Sequence, residues 1–197
     1  MSKAYRVFGT SAVLAYVGAV VTGGALLPGY SHAYNTISEL TASNAPDLPL
    51  VQLLFTLYNV GLFAFAWGFY RDPRGTPKLR SSSRMLMAIA LLGLATGIFP
   101  QDSRDVAMTF SGKMHIALAG AMSPLTMLAM ICAWLGLRTE AVTRKLGVYS
   151  LASFVITFVT GGLTAWGVAT NSPYGGLLQR LTIGAFLQWV LVMAVFA

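Results

Sequence analysis

MHIALAGAMSPLTMLAMICAWLGL, residues 114–137, decides the fold. It carries no Asp, Glu, Lys or Arg, and it is longer than the roughly 20 residues that cross a hydrocarbon core about 30 Å thick. Five more apolar runs flank it, at 7–27, 50–70, 85–100, 147–169 and 178–197. The run at 85–100 is short and is expected to extend back through Ser81–Ser83. A chain of 197 residues that is 56% hydrophobic and 10% charged, with a mean hydropathy of +0.68, exposes too little Lys and Glu for a soluble domain.

A spanning backbone must satisfy its own hydrogen bonds, so each run reads as a helix. A barrel would show alternating strands of about 10 residues, and none is present. The expectation is an all-α integral membrane protein, one domain of six transmembrane helices over residues 1–197. Thr-Gly recurs near one end of runs one, three and five, in Val21-Thr22-Gly23-Gly24, Ala95-Thr96-Gly97 and Val159-Thr160-Gly161-Gly162. Three tandem helical hairpins would give that pattern. Small residues where membrane helices touch would give it too, with the odd-numbered helices packed closely. Ser123-Pro124 should kink the fourth helix. Trp134, Trp166 and Trp189 fit interface belts or helix packing.

Charge orients the bundle. Lys3 and Arg6 precede run one; Arg71, Arg74, Lys78, Arg80 and Arg84 separate runs two and three; Arg138, Arg144 and Lys145 separate runs four and five. These are ten of the thirteen basic residues, all on alternate connections. Positive residues stay cytoplasmic, so both termini are expected inside an inner membrane, with segments 28–49, 101–113 and 170–177 outside. The net charge of +7 is thereby explained without nucleic acid, for which no basic patch interleaved with aromatics exists. The expected partners are the bilayer and anionic lipid head groups, and either a homo-oligomer or a membrane-complex partner is compatible with the sequence. Lys3 and Arg6 before run one, and Ser31-His32-Ala33 after Pro28, outline a cleavable leader, but the run is long for that and is kept as a span. Cys132, the one cysteine, forms no internal disulfide and no Cys-rich metal site.

Just before the opening stretch lies FPQDSRD, residues 99–105, with three charges in seven residues. Glu39, Asp47, Asp102 and Asp105 fall on the outside, as do both histidines, His32 and His115; only Asp72 and Glu140 fall inside. Orientation does not require this, because acids contribute little to topology. Arg180 lies in the apolar start of run six, where an arginine is costly and needs a partner; Glu39, Asp102 and Asp105 are the candidates. An outward-facing polar pocket at the membrane boundary is therefore expected, built from Ser38, Glu39, Asp102, His115, Gln179 and Arg180.

Ile37-Ser38-Glu39-Leu40 after run one, Phe99-Pro100-Gln101-Asp102 closing run three, His115 opening run four, and Gly176 with Gln179-Arg180 opening run six resemble the six-helix membrane proteins of the DUF998 family. The resemblance covers nearly the whole chain and implies the fold and topology, with no established activity. A more distant similarity is to the Frag-one/DRAM/Sfk-one group.

The favoured use of the pocket is a lipid-binding, structural or assembly subunit of the membrane, in which Glu39, Asp102 and Arg180 lock helices to the first loop. One alternative is a membrane-embedded hydrolase or transferase acting on a lipid head group. His115 and Asp102 would be base and orienting carboxylate, and Ser38, Glu39, Gln179 and Arg180 would bind the head group. A metal held by His115, Asp102 and Glu39, with His32 as a further ligand, is a variant of it. A small-solute transporter is the other alternative, although the spans carry no carboxylate at mid-depth. No motif names a cofactor.

Overall fold

The computed structural model describes residues 2–43, 45–46, 48–103 and 106–196. Six helices form: α1 (Lys3–Leu26), α2 (Pro49–Arg71), α3 (Pro77–Ile98), α4 (Phe110–Leu137), α5 (Arg144–Ala169) and α6 (Gly175–Phe196). Each is long and apolar enough to cross a membrane, and among the described residues there is no strand. The chain is a multi-pass membrane protein.

Local chemistry sets the helix ends. Pro49 and Pro77 occupy first helical positions, where a missing N–H costs nothing. Thr76 Oγ1 accepts from Leu79 N at 3.3 Å and thereby caps α3, carrying it back through the serines. Pro100 forbids continuation of α3, which ends at Ile98. Thr109 Oγ1 accepts from Gly112 N at 3.2 Å and starts α4 four residues before the apolar run. Helix α4 continues through Pro124, which leaves the Gly120 carbonyl without its helical donor. Between α2 and α3, Asp72 caps the turn: it accepts from Arg74 N at 3.0 Å and from the Arg74 guanidinium at 3.1 and 3.0 Å.

Each helix packs on the next and α6 returns to α1, so the six form a closed ring. No two of α1, α3 and α5 are among the closely packed pairs, contrary to the expectation from the Thr-Gly repeat. The glycines of that repeat do other things. Gly23 seats the Leu40 side chain, and Gly97 and Gly162 face open space.

The two ends of the ring differ. At the basic end the interior is filled by Leu79, Leu86, Met130, Ala133, Trp189 and Met193. Trp189 is fully buried and donates to Ser150 Oγ at 3.0 Å, while Ser82 Oγ donates to Ala129 O at 2.8 Å. Arg71 lies over Trp67 and Arg138 over Trp134, at 5.7 and 4.9 Å, as cations meeting interface aromatics do. At the His115 end the filling stops. No residue is buried over 91–98 of α3, 116–128 of α4 or 158–166 of α5.

Candidate functional site

The loop after α1 folds back over the open end. Thr36 and Glu39 form a capping box around a short 3-10 helix, Ile37–Thr41. Glu39 Oε1 accepts from Thr36 N at 3.0 Å and from Thr36 Oγ1 at 2.9 Å, and Glu39 Oε2 accepts from Asn35 Nδ2 at 2.5 Å. Leu40 points inward and is fully buried against Ala19, Ile37 and Val51.

Helix α6 grips this loop with one face. Gly176 N and Leu177 N, two amides with no partner inside the helix, donate to Tyr34 O and Ala33 O at 3.2 and 2.9 Å. Gly176 has no room for a side chain, because a Cβ there would strike Asn35 O. Three residues on, Gln179 Oε1 accepts from Ile37 N at 2.6 Å. Arg180 Nη1 donates to Asn35 O at 2.8 Å and Gly176 O at 2.9 Å, and its Nη2 donates to the Tyr30 hydroxyl at 2.6 Å. Tyr30 donates onward to Thr36 O at 2.8 Å, and its ring lies 5.6 Å beneath the guanidinium. Burial pushes the Tyr30 phenol up, against the pull of Arg180, so the hydroxyl keeps the proton it donates. Arg180 is thus turned into carbonyls and a phenol.

Asp102 caps α4. It accepts from Thr109 N at 2.6 Å and Thr109 Oγ1 at 2.8 Å, close against Gly112, where any Cβ would strike the carboxylate. Ser111 Oγ donates to Pro100 O at 2.9 Å and ties the same corner.

His115 is 7% exposed, and both its ring nitrogens are engaged. Nδ1 lies 2.9 Å from Phe99 O, a carbonyl at the end of α3. A carbonyl can only accept, so Nδ1 carries a proton, and in the corresponding neutral tautomer Nε2 is bare. That nitrogen stands 3.1 Å from Ser38 Oγ, whose hydroxyl donates to it in that tautomer. The orienting group behind His115 is therefore a main-chain carbonyl rather than the Asp102 carboxylate expected from the sequence.

Ser38, His115 and Gln179 line one end of a cavity of about 1330 Å³. It runs inward past Ile89, Met122, Thr157, Ile183 and Phe186, and along α4 it extends from His115 to Met127. That is about 18 Å of helix, close to half the thickness of a bilayer. Phe158, Val159 and Leu163 line the cavity and are at the same time exposed, so it reaches the outer face of the bundle along α5. Two polar atoms of its wall are buried without a partner, Asn59 Oδ1 and Thr157 Oγ1. Among the described residues none of the lining side chains is Asp, Glu, Lys or Arg.

Of the six expected site residues, Ser38, His115 and Gln179 meet at the cavity. Glu39, Asp102 and Arg180 hold the loops around it. Asp47, Arg104 and Asp105 lie outside the described residues. Among the described residues no three of His, Cys, Asp and Glu come together to hold a metal. His32 packs edge-on against Tyr30, with ring centroids 5.3 Å apart. Tyr30, Asn59 and the Phe99 carbonyl escaped the sequence reading. A lone Asn in the apolar run at 50–70 is the signal that could have found Asn59.

A family model described as "Protein of unknown function (DUF998)" matches residues 10–196. No curated protein and no solved structure matches the chain.

Proposed function

The chain belongs to the DUF998 family, and we propose that it takes an amphiphilic molecule from one leaflet of the bilayer into the ring of helices. The polar head sits at Ser38, His115 and Gln179, and the chain lies between α3, α4 and α5. The observation that carries this reading is the cavity itself. Its volume of about 1330 Å³ exceeds the roughly 300–1,000 Å³ of ordinary small-molecule sites. It is lined mainly by apolar side chains, with Asn59 and Thr157 as buried polar groups in its wall and Ser38, His115 and Gln179 at one end, and it is exposed along α5 at membrane depth.

The head group it fits is neutral. An anionic head would need a cation, and the described lining side chains include none; Arg180 lies off that wall and turns its two Nη groups to Asn35, Gly176 and Tyr30, with Nε buried and unpartnered. Anionic lipid head groups, if bound, belong at the basic connections. The positive-inside bias supports a reading in which those connections are cytoplasmic, both termini are inside and the cavity opens to the outer leaflet of a cell membrane.

Two glycines supply the experiment. A Cβ at Gly97 or Gly162 meets nothing within 4 Å, and both residues line the cavity. Gly97→Phe and Gly162→Phe fill the space without forcing the backbone. Native mass spectrometry of protein extracted in mild detergent should show a bound lipid on the wild type and its loss in both variants, with melting temperatures equal once all three proteins are stripped of lipid. Equal lipid retention in wild type and variants refutes the reading.

A further inference from the structure

We infer that Ser38 is a nucleophile activated by His115, and that the protein transfers the acyl group of a neutral carboxylic ester; this rests on the amphiphile-binding reading of the same cavity. Three groups carry it. The imidazole is held in one tautomer by Phe99 O, so the lone pair of Nε2 is aimed at Ser38 Oγ, 3.1 Å away. This is the hydrogen-bond relation that activates a serine, with a main-chain carbonyl where a carboxylate often stands. Gln179 is the third group. Its oxygen is fixed by the Ile37 amide, one residue from Ser38, so its two amide hydrogens are the groups left to donate. It lines the same cavity wall.

The donor set selects the substrate class. Phosphoryl transfer would gather negative charge with no cation on the described wall to meet it. An ester carbonyl is neutral, and one developing oxyanion asks only for hydrogen-bond donors. In the first half-reaction Ser38 Oγ bonds to the acyl carbon and its proton passes to His115 Nε2. Gln179 supplies donors for the oxyanion. The ester C–O bond then breaks, and His115 returns the proton to the leaving alcohol oxygen. In the second half-reaction a water attacks the acyl-serine carbon and gives its proton to His115. The Ser38–acyl bond breaks, Ser38 is re-protonated and a carboxylic acid departs. The sum is ester plus water to acid plus alcohol; an acceptor alcohol in place of water gives a transferred acyl group.

The test uses the full chain in detergent or nanodiscs and an alkyl fluorophosphonate, which phosphonylates activated serines far faster than ordinary ones. Peptide mass spectrometry should find one adduct, on Ser38. Ser38→Ala should carry none, and His115→Gln should slow the labelling by about 100-fold or more. Native mass spectrometry of the same wild-type sample separates the two readings. An unlabelled Ser38 in protein that retains its lipid overturns the nucleophile and leaves amphiphile binding standing. A labelled Ser38 in protein that never holds lipid supports the nucleophile and overturns the binding. Labelling of His115→Gln at the wild-type rate overturns the activation by His115, and because that variant must label to show it, misfolding cannot mimic the result.

Discussion

Removing the Arg180 side chain tests whether this residue is a structural clamp rather than a ligand site. Arg180→Ala deletes three hydrogen bonds, to Asn35 O, Gly176 O and the Tyr30 hydroxyl. They do not count equally. Gly176 O sits four residues back in α6, where it already serves the helix, and Tyr30 keeps its bond to Thr36 O. Asn35 O is the acceptor left stranded. A hydrogen bond to a charged group contributes about 1.5–3 kcal/mol and a stranded buried acceptor costs about 1–3 kcal/mol. These bonds are only part-buried, so the net loss should be about 3 kcal/mol rather than the sum. For a chain of this size that corresponds to a melting temperature lower by about 6–12 °C. The assay is thermal unfolding in one fixed detergent, followed by tryptophan fluorescence. Tyr30→Phe keeps the ring beneath the guanidinium but removes its bonds to Arg180 and Thr36 O, and should lose about 2 kcal/mol, two-thirds of the effect. Lipid retention should survive in the folded fraction of both variants. An Arg180→Ala protein that melts with the wild type but sheds its lipid would refute this reasoning and return Arg180 to the binding site.

Other outcomes follow from single residues. Thr157 is 5% exposed with a hydroxyl that bonds nothing, so Thr157→Val should raise the melting temperature, by about 2–4 °C for about 1 kcal/mol, in lipid-stripped protein. A fall would mean that the hydroxyl has a partner there. Gly61→Ala would place a Cβ 3.0 Å from Ala12 Cβ and 3.1 Å from Phe8 O, wedging α1 from α2; an overpacking cost of about 1–3 kcal/mol is expected in the same melt. Asp72 is held well below the usual carboxylate range by the Arg74 hydrogen bonds. Its protonation therefore costs more in the folded state, so its contribution is full above the unfolded value of about 3.9 and disappears as pH falls through the lower folded value. The gap in melting temperature between wild type and Asp72→Asn should be constant from about pH 5 to 8 and close progressively below about pH 4.

The spans were legible because length and apolar content alone decide them. Even the short third run was correctly extended into the serines, although the helix starts further back still, at Pro77 behind the Thr76 cap. The ring order was not legible. Thr-Gly pairs look the same whether they pack another helix, seat a loop leucine as Gly23 does, or face a void as Gly97 does. The site was half legible. One-sided placement of the histidines and acids located the corner, and Gly176, Gln179 and Arg180 share one helix face by their spacing. Roles were another matter, because a carboxylate near a histidine in sequence says nothing about who bonds whom. Asp102 is claimed by the Thr109 amide and hydroxyl, and His115 by a carbonyl that carries no sequence signature at all. The cavity was invisible, since it depends on what α3, α4 and α5 fail to bury.

The most direct test of the central claim is a cryo-electron microscopy map of the protein in lipid nanodiscs. Elongated density running from Ser38 and His115 past Met122 toward Phe186, absent in Gly97→Phe, is the expected result. A wild-type map in which α4 and α5 close over the same space, with side chains filling it, would contradict the account.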